Sequence, residues 1–143
     1  MTKDIVEIKK DGKTYYADGK YTVKTNSGGT HYYVDGILHR DDGPAVVGRK
    51  NGFKQWYSNG KLHRDGGPAL SMTKGCNWWY QHGMRHREDG PAYMNTADNS
   101  RTYWLYDKEY TEKEFNEWRC LAQVVDQSEV EELKSKLWSS DEA

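Results

Sequence analysis

A chain of 143 residues with a formal net charge of −1 is long enough for one domain and lacks the dense basic or acidic balance of a dedicated nucleic-acid or membrane-surface binder. Hydrophobic residues make up only 35%, and the aromatic content is six Trp and eleven Tyr against two Phe, so the apolar surface consists mostly of amphipathic rings that can stay half wet. The N-terminus lacks an apolar leader and no stretch approaches the length of a membrane span, so a cytoplasmic protein without a membrane span is expected.

The first recognisable unit is Tyr15-Tyr16-Ala17-Asp18-Gly19-Lys20-Tyr21, which predicts a hairpin within a degenerate unit over about 12–29. Three better copies fill residues 30–94. Tyr32 to Ala45, Trp56 to Ala69 and Trp79 to Ala92 each read aromatic, aromatic, x, x, Gly, x, x, His, Arg, x, x, Gly, Pro, Ala. The period is 23 to 24 residues, stepping from Gly36 to Gly60 to Gly83, from His39 to His63 to His86, and from Arg40 to Arg64 to Arg87. Pro44, Pro68 and Pro91, the chain's three prolines, share one repeat position. Asn59-Gly60 between two aromatic and apolar segments predicts a type I′ turn, which needs positive φ at both central residues. Asp35-Gly36 and His82-Gly83 stand at the same place. That register sets Ser58 opposite Lys61, Tyr57 opposite Leu62, Trp56 opposite His63 and Gln55 opposite Arg64.

A fourth, frayed unit over 101–110 aligns Asp107 with the turn glycines and Tyr110 with the histidines. The sheet is thereby expected to occupy 1–110 and a helical cap 111–143. Thr111 with Glu114 forms a capping box, and Phe115, Trp118, Leu121, Ala122 and Val125 make one apolar stripe. Ser128 with Glu131 predicts a second helix with Val130, Leu133 and Leu137 on one face. The fold expected is mainly β: a single-layer antiparallel sheet of stacked hairpin repeats with a C-terminal helical cap.

Strand alternation predicts two ladders. One carries Tyr32/His39, Trp56/His63 and Trp79/His86; the other carries Tyr33/Leu38, Tyr57/Leu62 and Tyr80/Arg85, next to Arg40, Arg64 and Arg87. Trp, Tyr and Arg are the residues enriched at interface hot spots, so Tyr32, Trp56, Trp79, Tyr33, Tyr57, Tyr80 and the three arginines are the candidate binding residues, on whichever face the helices leave open. His39, His63 and His86 read as structural: two strands per repeat separate equivalent histidines by about 10 Å, too far to share one zinc at about 2.0 to 2.1 Å. Each is expected to pack on its own aromatic neighbour. The His-Arg-Asp/Glu triplets occur without a phosphate loop, the serines lack a base partner, and Cys76, placed in a turn, and Cys120, in a helix, have no metal or redox spacing, so no catalysis, metal or cofactor is expected.

The aromatic pair, the Gly-x-x-His spacing and the period resemble MORN repeats over 30–94 and more loosely 12–110. Where MORN units continue Gly-x-x-His-Gly-x-Gly, this chain has Gly-x-x-His-Arg-x-x-Gly-Pro-Ala, a variant similar to repeats of phage and bacterial proteins whose last unit runs into a Tyr-Thr-x-x-x-Phe helix start, as Tyr110 to Phe115 does here. The resemblance implies a single-layer sheet that binds or scaffolds, and the phage connection implies an inhibitor of a host defence protein. Two other expectations stand beside this protein partner: a small anionic ligand or nucleic acid held by the Arg and Tyr ladder, and a homo-oligomeric scaffold.

Overall fold

The computed structural model describes residues 6–10, 13–17, 20–49, 52–124, 131–132 and 135, with 6–10, 13–17, 123 and 124 as backbone only. The strands are β1 (Val6–Lys10), β2 (Lys13–Ala17), β3 (Thr22–Asn26), β4 (Gly29–Val34), β5 (Ile37–Leu38), β6 (Val46–Gly48), β7 (Lys54–Gln55) and β8 (Tyr57–Ser58). They continue as β9 (Lys61–Leu62), β10 (Leu70–Ser71), β11 (Cys76–Trp78), β12 (Tyr80–Gln81), β13 (Met84–Arg85), β14 (Tyr93–Asn95), β15 (Ser100–Leu105) and β16 (Lys108–Tyr110). One helix, α1 (Glu112–Val124), follows. The sheet is a 12-stranded antiparallel meander ordered β1-β2-β3-β4-β6-β7-β10-β11-β14-β15-β16, with β5 also on β4, and it does not close into a barrel. This is the mainly β architecture with a C-terminal helix that the repeat pattern predicts. β1 extends the sheet beyond the first unit anticipated from sequence, and Cys76 opens β11 instead of lying in a turn.

Each repeat contributes an outgoing strand, unbroken in the first copy and interrupted in the second and third, and a broken return strand. In the middle copy β7 and β8 flank Trp56, and the return runs through β9, a loop over 63–69, and β10. Asn59 and Gly60 adopt φ of 51° and 79°, so both central residues of the turn are left-handed, and Tyr57 pairs with Leu62 and Ser58 with Lys61. His82-Gly83 and Tyr106-Asp107 turn in the same way. Beyond the Trp56/His63 pair the expected register fails: Gln55 pairs with Leu70 and Val46, not with Arg64. The reason is local. Trp56 accepts a bond from His63 N–H at 3.0 Å and donates its own N–H to Ala69 carbonyl at 2.7 Å, so both ends of the loop close on one residue and Arg64 to Pro68 bulge out between them. Gly66 at φ 80° and Pro68, which has no N–H to offer a ladder, suit that bulge. Tyr32 with Ala45 and Trp79 with Ala92 repeat the closure at 2.7 Å.

Hairpins of successive repeats are joined edge to edge. Gly60 N–H donates to Leu38 carbonyl, Gly83 N–H to Leu62 carbonyl and Asp107 N–H to Arg85 carbonyl, at 2.8 to 2.9 Å. No thick core results. Ala45, Ala69 and Ala92 are fully buried under the loops, and the largest fully buried side chains among the described residues, Leu105 and Phe115, lie at the junction with α1. The capping box forms as predicted: Glu114 N–H donates to Thr111 Oγ1 at 3.1 Å and Thr111 N–H to Glu114 Oε1 at 3.0 Å. Those bonds hold the Glu114 carboxyl below its usual range. Leu121 departs from the expected stripe, being 56% exposed, whereas Trp118 packs against the cluster of Tyr103, Leu105 and Phe115. The second predicted helix falls outside the described residues except at Glu131, Glu132 and Ser135, which are helical; Leu133 and Leu137 are outside them.

Candidate functional site

The loop His-Arg-x-x-Gly-Pro-Ala is a built unit repeated three times. Arg40, Arg64 and Arg87 lay their guanidinium planes over Tyr32, Trp56 and Trp79 at 3.9, 3.9 and 4.0 Å from the ring centroids. In each copy Nη1 donates to the carbonyl of the proline four residues on, at 3.1 Å. The far side of each guanidinium rests on the loop glycine: a Cβ at Gly43, Gly67 or Gly90 would come within 2.9 to 3.0 Å of Arg Cζ. The arginines therefore belong to the ladder of Tyr32, Trp56 and Trp79 and not, as alternation predicts, to that of Tyr33, Tyr57 and Tyr80. Alternation fails because the chain has left the strand before it reaches them. A stacked, hydrogen-bonded cation of this kind contributes about 0.5 to 2 kcal/mol, so each loop is locked from within.

The histidines link one repeat to the next. His39 Nδ1 accepts the Asn59 N–H at 2.9 Å, His63 Nδ1 the His82 N–H at 3.0 Å, and His86 Nδ1 the Tyr106 N–H at 3.0 Å. Each donor is the first left-handed residue of the following turn. An accepting Nδ1 places the proton on Nε2, which faces Asp41 at 2.7 Å, Asp65 at 3.5 Å and Glu88 at 3.8 Å. The rings also pack forward, His63 against His82 at 4.4 Å and His86 against Tyr106 at 4.2 Å. Packing on their own aromatic neighbour was expected; the turn of the next repeat is the partner instead, since the hairpins sit edge to edge. His86→Leu should cost about 1 to 3 kcal/mol by leaving the part-buried Tyr106 N–H unpaired. His39→Leu, whose bond is exposed, should cost less, and urea unfolding of the two variants measures the difference.

The fourth unit substitutes the helix for the loop. Where the copies put a guanidinium over the ring, Phe115 stacks on Tyr103 at 4.9 Å, and Leu105 joins the same buried cluster. Tyr103 and Leu105 alternate with Trp104 along β15, so α1 covers the end of the loop-bearing face and Trp104 looks out from the other.

On that opposite face Trp78 pairs across strands with Leu70 and Tyr93. Its ring lies 4.4 Å from Tyr93, 6.3 Å from Tyr80 and 6.5 Å from Trp104. Arg85 lies 3.8 Å over Trp104 and pairs with Asp107. Tyr33 with Leu38 and Tyr57 with Leu62 continue the face toward the N-terminus. Burial pushes the Tyr57 and Tyr80 phenols above their usual range. Trp78, Tyr93 and Trp104 were not singled out from the sequence, although the x-Trp-x-Tyr alternation of Trp78 and Tyr80 signals a shared face. On the loop face two open grooves separate the loops, of about 600 Å³ between the first and second and about 710 Å³ between the second and third. Their rims carry the exposed Asp41, Asp42, Asp65, Glu88 and Asp89.

Among the described residues no group of three His, Cys, Asp or Glu is placed to hold a metal ion, Cys76 and Cys120 are free thiols, and no helix is long and apolar enough to cross a membrane. Fold and loops together define a β-repeat protein of stacked hairpins with an internally braced loop on one face. Comparisons with protein families, with curated proteins and with solved structures find no match.

Proposed function

We propose that this chain is a non-enzymatic, MORN-like protein-interaction module that binds its partner through the sheet face opposite α1. The observation that carries this is the half-buried cluster of Trp78, Tyr80, Tyr93 and Trp104 with Arg85, over which no element lies among the described residues. Trp, Tyr and Arg in a contiguous patch are the composition of an interface hot spot. Tyr33 and Tyr57 extend the patch along the array. The three repeat arginines do not extend it, because their guanidinium groups brace the loops behind, and the outermost charges of those loops are carboxylates; this weighs against a continuous cationic track for nucleic acid. The His-Arg-x-x-Gly-Pro-Ala resemblance supports a phage-type protein acting in a host cytoplasm, with a host defence protein as the partner it inhibits.

The repeat supplies its own fold-neutral test. Gln55 and Leu70 occupy in the middle copy the places of Trp78 and Tyr93 in the third, so Trp78→Gln with Tyr93→Leu should leave the fold intact. Loss of two central aromatics should weaken partner capture at least about thirtyfold, the equivalent of about 2 kcal/mol. Quantitative pull-down from bacterial lysate against the parent reads this. Undiminished capture by the double variant, or a mass that doubles with concentration and falls back in the variant, would replace the reading with a loop-face contact or with self-association.

A further inference from the structure

The three loops are copies, and one copy lacks a part. Arg40 Nε donates to Asp42 Oδ1 at 3.0 Å and Arg87 Nε to Asp89 Oδ1 at 2.8 Å. The residue two places after Arg64 is Gly66, and Asp65 faces His63 at 3.5 Å, so among the described residues no carboxylate pairs with the Arg64 guanidinium. Its hydrogen bond is the Nη1 contact with Pro68 carbonyl at 3.1 Å. A Cβ built at Gly66 meets nothing within 4 Å, so the space around that position is open. Arg64 also lines both grooves. In the third loop the Arg87 bond holds the Asp89 carboxyl below its usual range. With no such anion, burial pushes the Arg64 guanidinium down.

We propose that the gap beside Arg64 is a carboxylate-binding subsite, in which the guanidinium stacked on Trp56 takes from a ligand the carboxylate that Asp42 and Asp89 supply within the chain. The plane of the fork is already oriented by Trp56 and Pro68, so little side-chain freedom is lost on binding. The class of ligand is a carboxylate, presented by an acidic side chain or by a small free acid. A phosphate dianion fits less well, because Asp41, Asp42 and Asp65 share the first groove and Asp65, Glu88 and Asp89 the second. This site lies on the loop face and stands independently of the aromatic surface proposed above.

The test is a titration of the full chain followed at the arginine Nε–Hε NMR signals, using acetate, a terminally capped Gly-Asp-Gly peptide and inorganic phosphate in turn. A saturable shift at Arg64 with either carboxylate, while Arg40 and Arg87 stay still, is the expected result. Tighter response to the peptide assigns the carboxylate to an acidic side chain, and tighter response to acetate assigns it to a free acid. Gly66→Asp should fill the gap in cis and abolish the shift at Arg64. Since aspartate is strained at φ 80°, Arg64→Lys is the second variant, and chemical-shift changes of the backbone amides around Gly66 and Gly67 should vanish in it while the fold persists. A silent Arg64, equal shifts at all three arginines, or tighter binding of phosphate than of either carboxylate would overturn the proposal.

Discussion

Phe115→Ala is expected to lower the stability of the chain by about 3 to 5 kcal/mol, the largest effect of any single truncation among the described side chains. Phe115 is fully buried, and among the described side chains of α1 no other is. Its ring contacts Tyr103 at 4.9 Å and Trp118 at 6.0 Å, and behind it lies Leu105 at 1% exposure. A helix of 13 residues is marginal in water by itself, so docking and helix formation are one event. The variant should lose helical ellipticity and expose the Tyr103 and Leu105 end of the sheet, with aggregation following as for an uncapped repeat array. Trp118→Ala, removing a half-buried ring at the margin, should cost visibly less. Urea unfolding followed by circular dichroism distinguishes the two, and equal stability of Phe115→Ala and the parent would show that the helix is not the cap.

Gly29→Ala should be comparably damaging for a backbone reason. Gly29 opens β4 at φ 141° and pairs with Gly48 of β6. A methyl group there would lie inside the contact distance of Val47 carbonyl and 2.9 Å from Gly48 Cα. Both obstacles are main chain of the neighbouring strand, which cannot rotate away as a side chain can. The pairing of β4 with β6 must then open by about an ångström just where the first loop-bearing repeat joins β3. A loss of about 3 kcal/mol or more is expected, against about 0.5 to 1 kcal/mol of gain that the same exchange brings at an unconstrained site. By contrast Gly36, also at positive φ, has open space at its Cβ, so Gly36→Ala should show the conformational cost alone. Thermal unfolding of the pair separates the clash from the φ strain.

The arginines show best where reading along the chain stops working. Arg64 is one residue past His63, and strand alternation sends it to the face of Tyr57; in space it lies on Trp56, because β9 ends at Leu62 and the loop folds back over its own entry. His63 likewise finds its partner at His82, 19 residues away, a distance that only the docking of one hairpin on the next can close. Gly66 could be seen as a departure from Asp42 and Asp89 in the aligned repeats, yet its meaning depends on knowing that those aspartates hold the guanidinium. The aromatic surface has the same character: Trp78, Tyr93 and Trp104 come from three strands and meet only through register.

What the sequence determines by itself is everything carried by local geometry and by repetition. Turn pairs such as Asn59-Gly60 require positive φ wherever they stand, the Thr111 and Glu114 spacing closes a helix start on itself, and a unit copied three times must stack on its own image. These fix the hairpins, the mainly β sheet and the C-terminal helix without reference to distant residues. The tertiary structure alone decides which face each side chain joins after a strand ends, which turn each histidine holds, and that Phe115 takes over the place of an arginine. Those outcomes depend on contacts between strands about 20 residues apart, whose energies appear only once the hairpins are edge to edge and the loops have closed over the sheet.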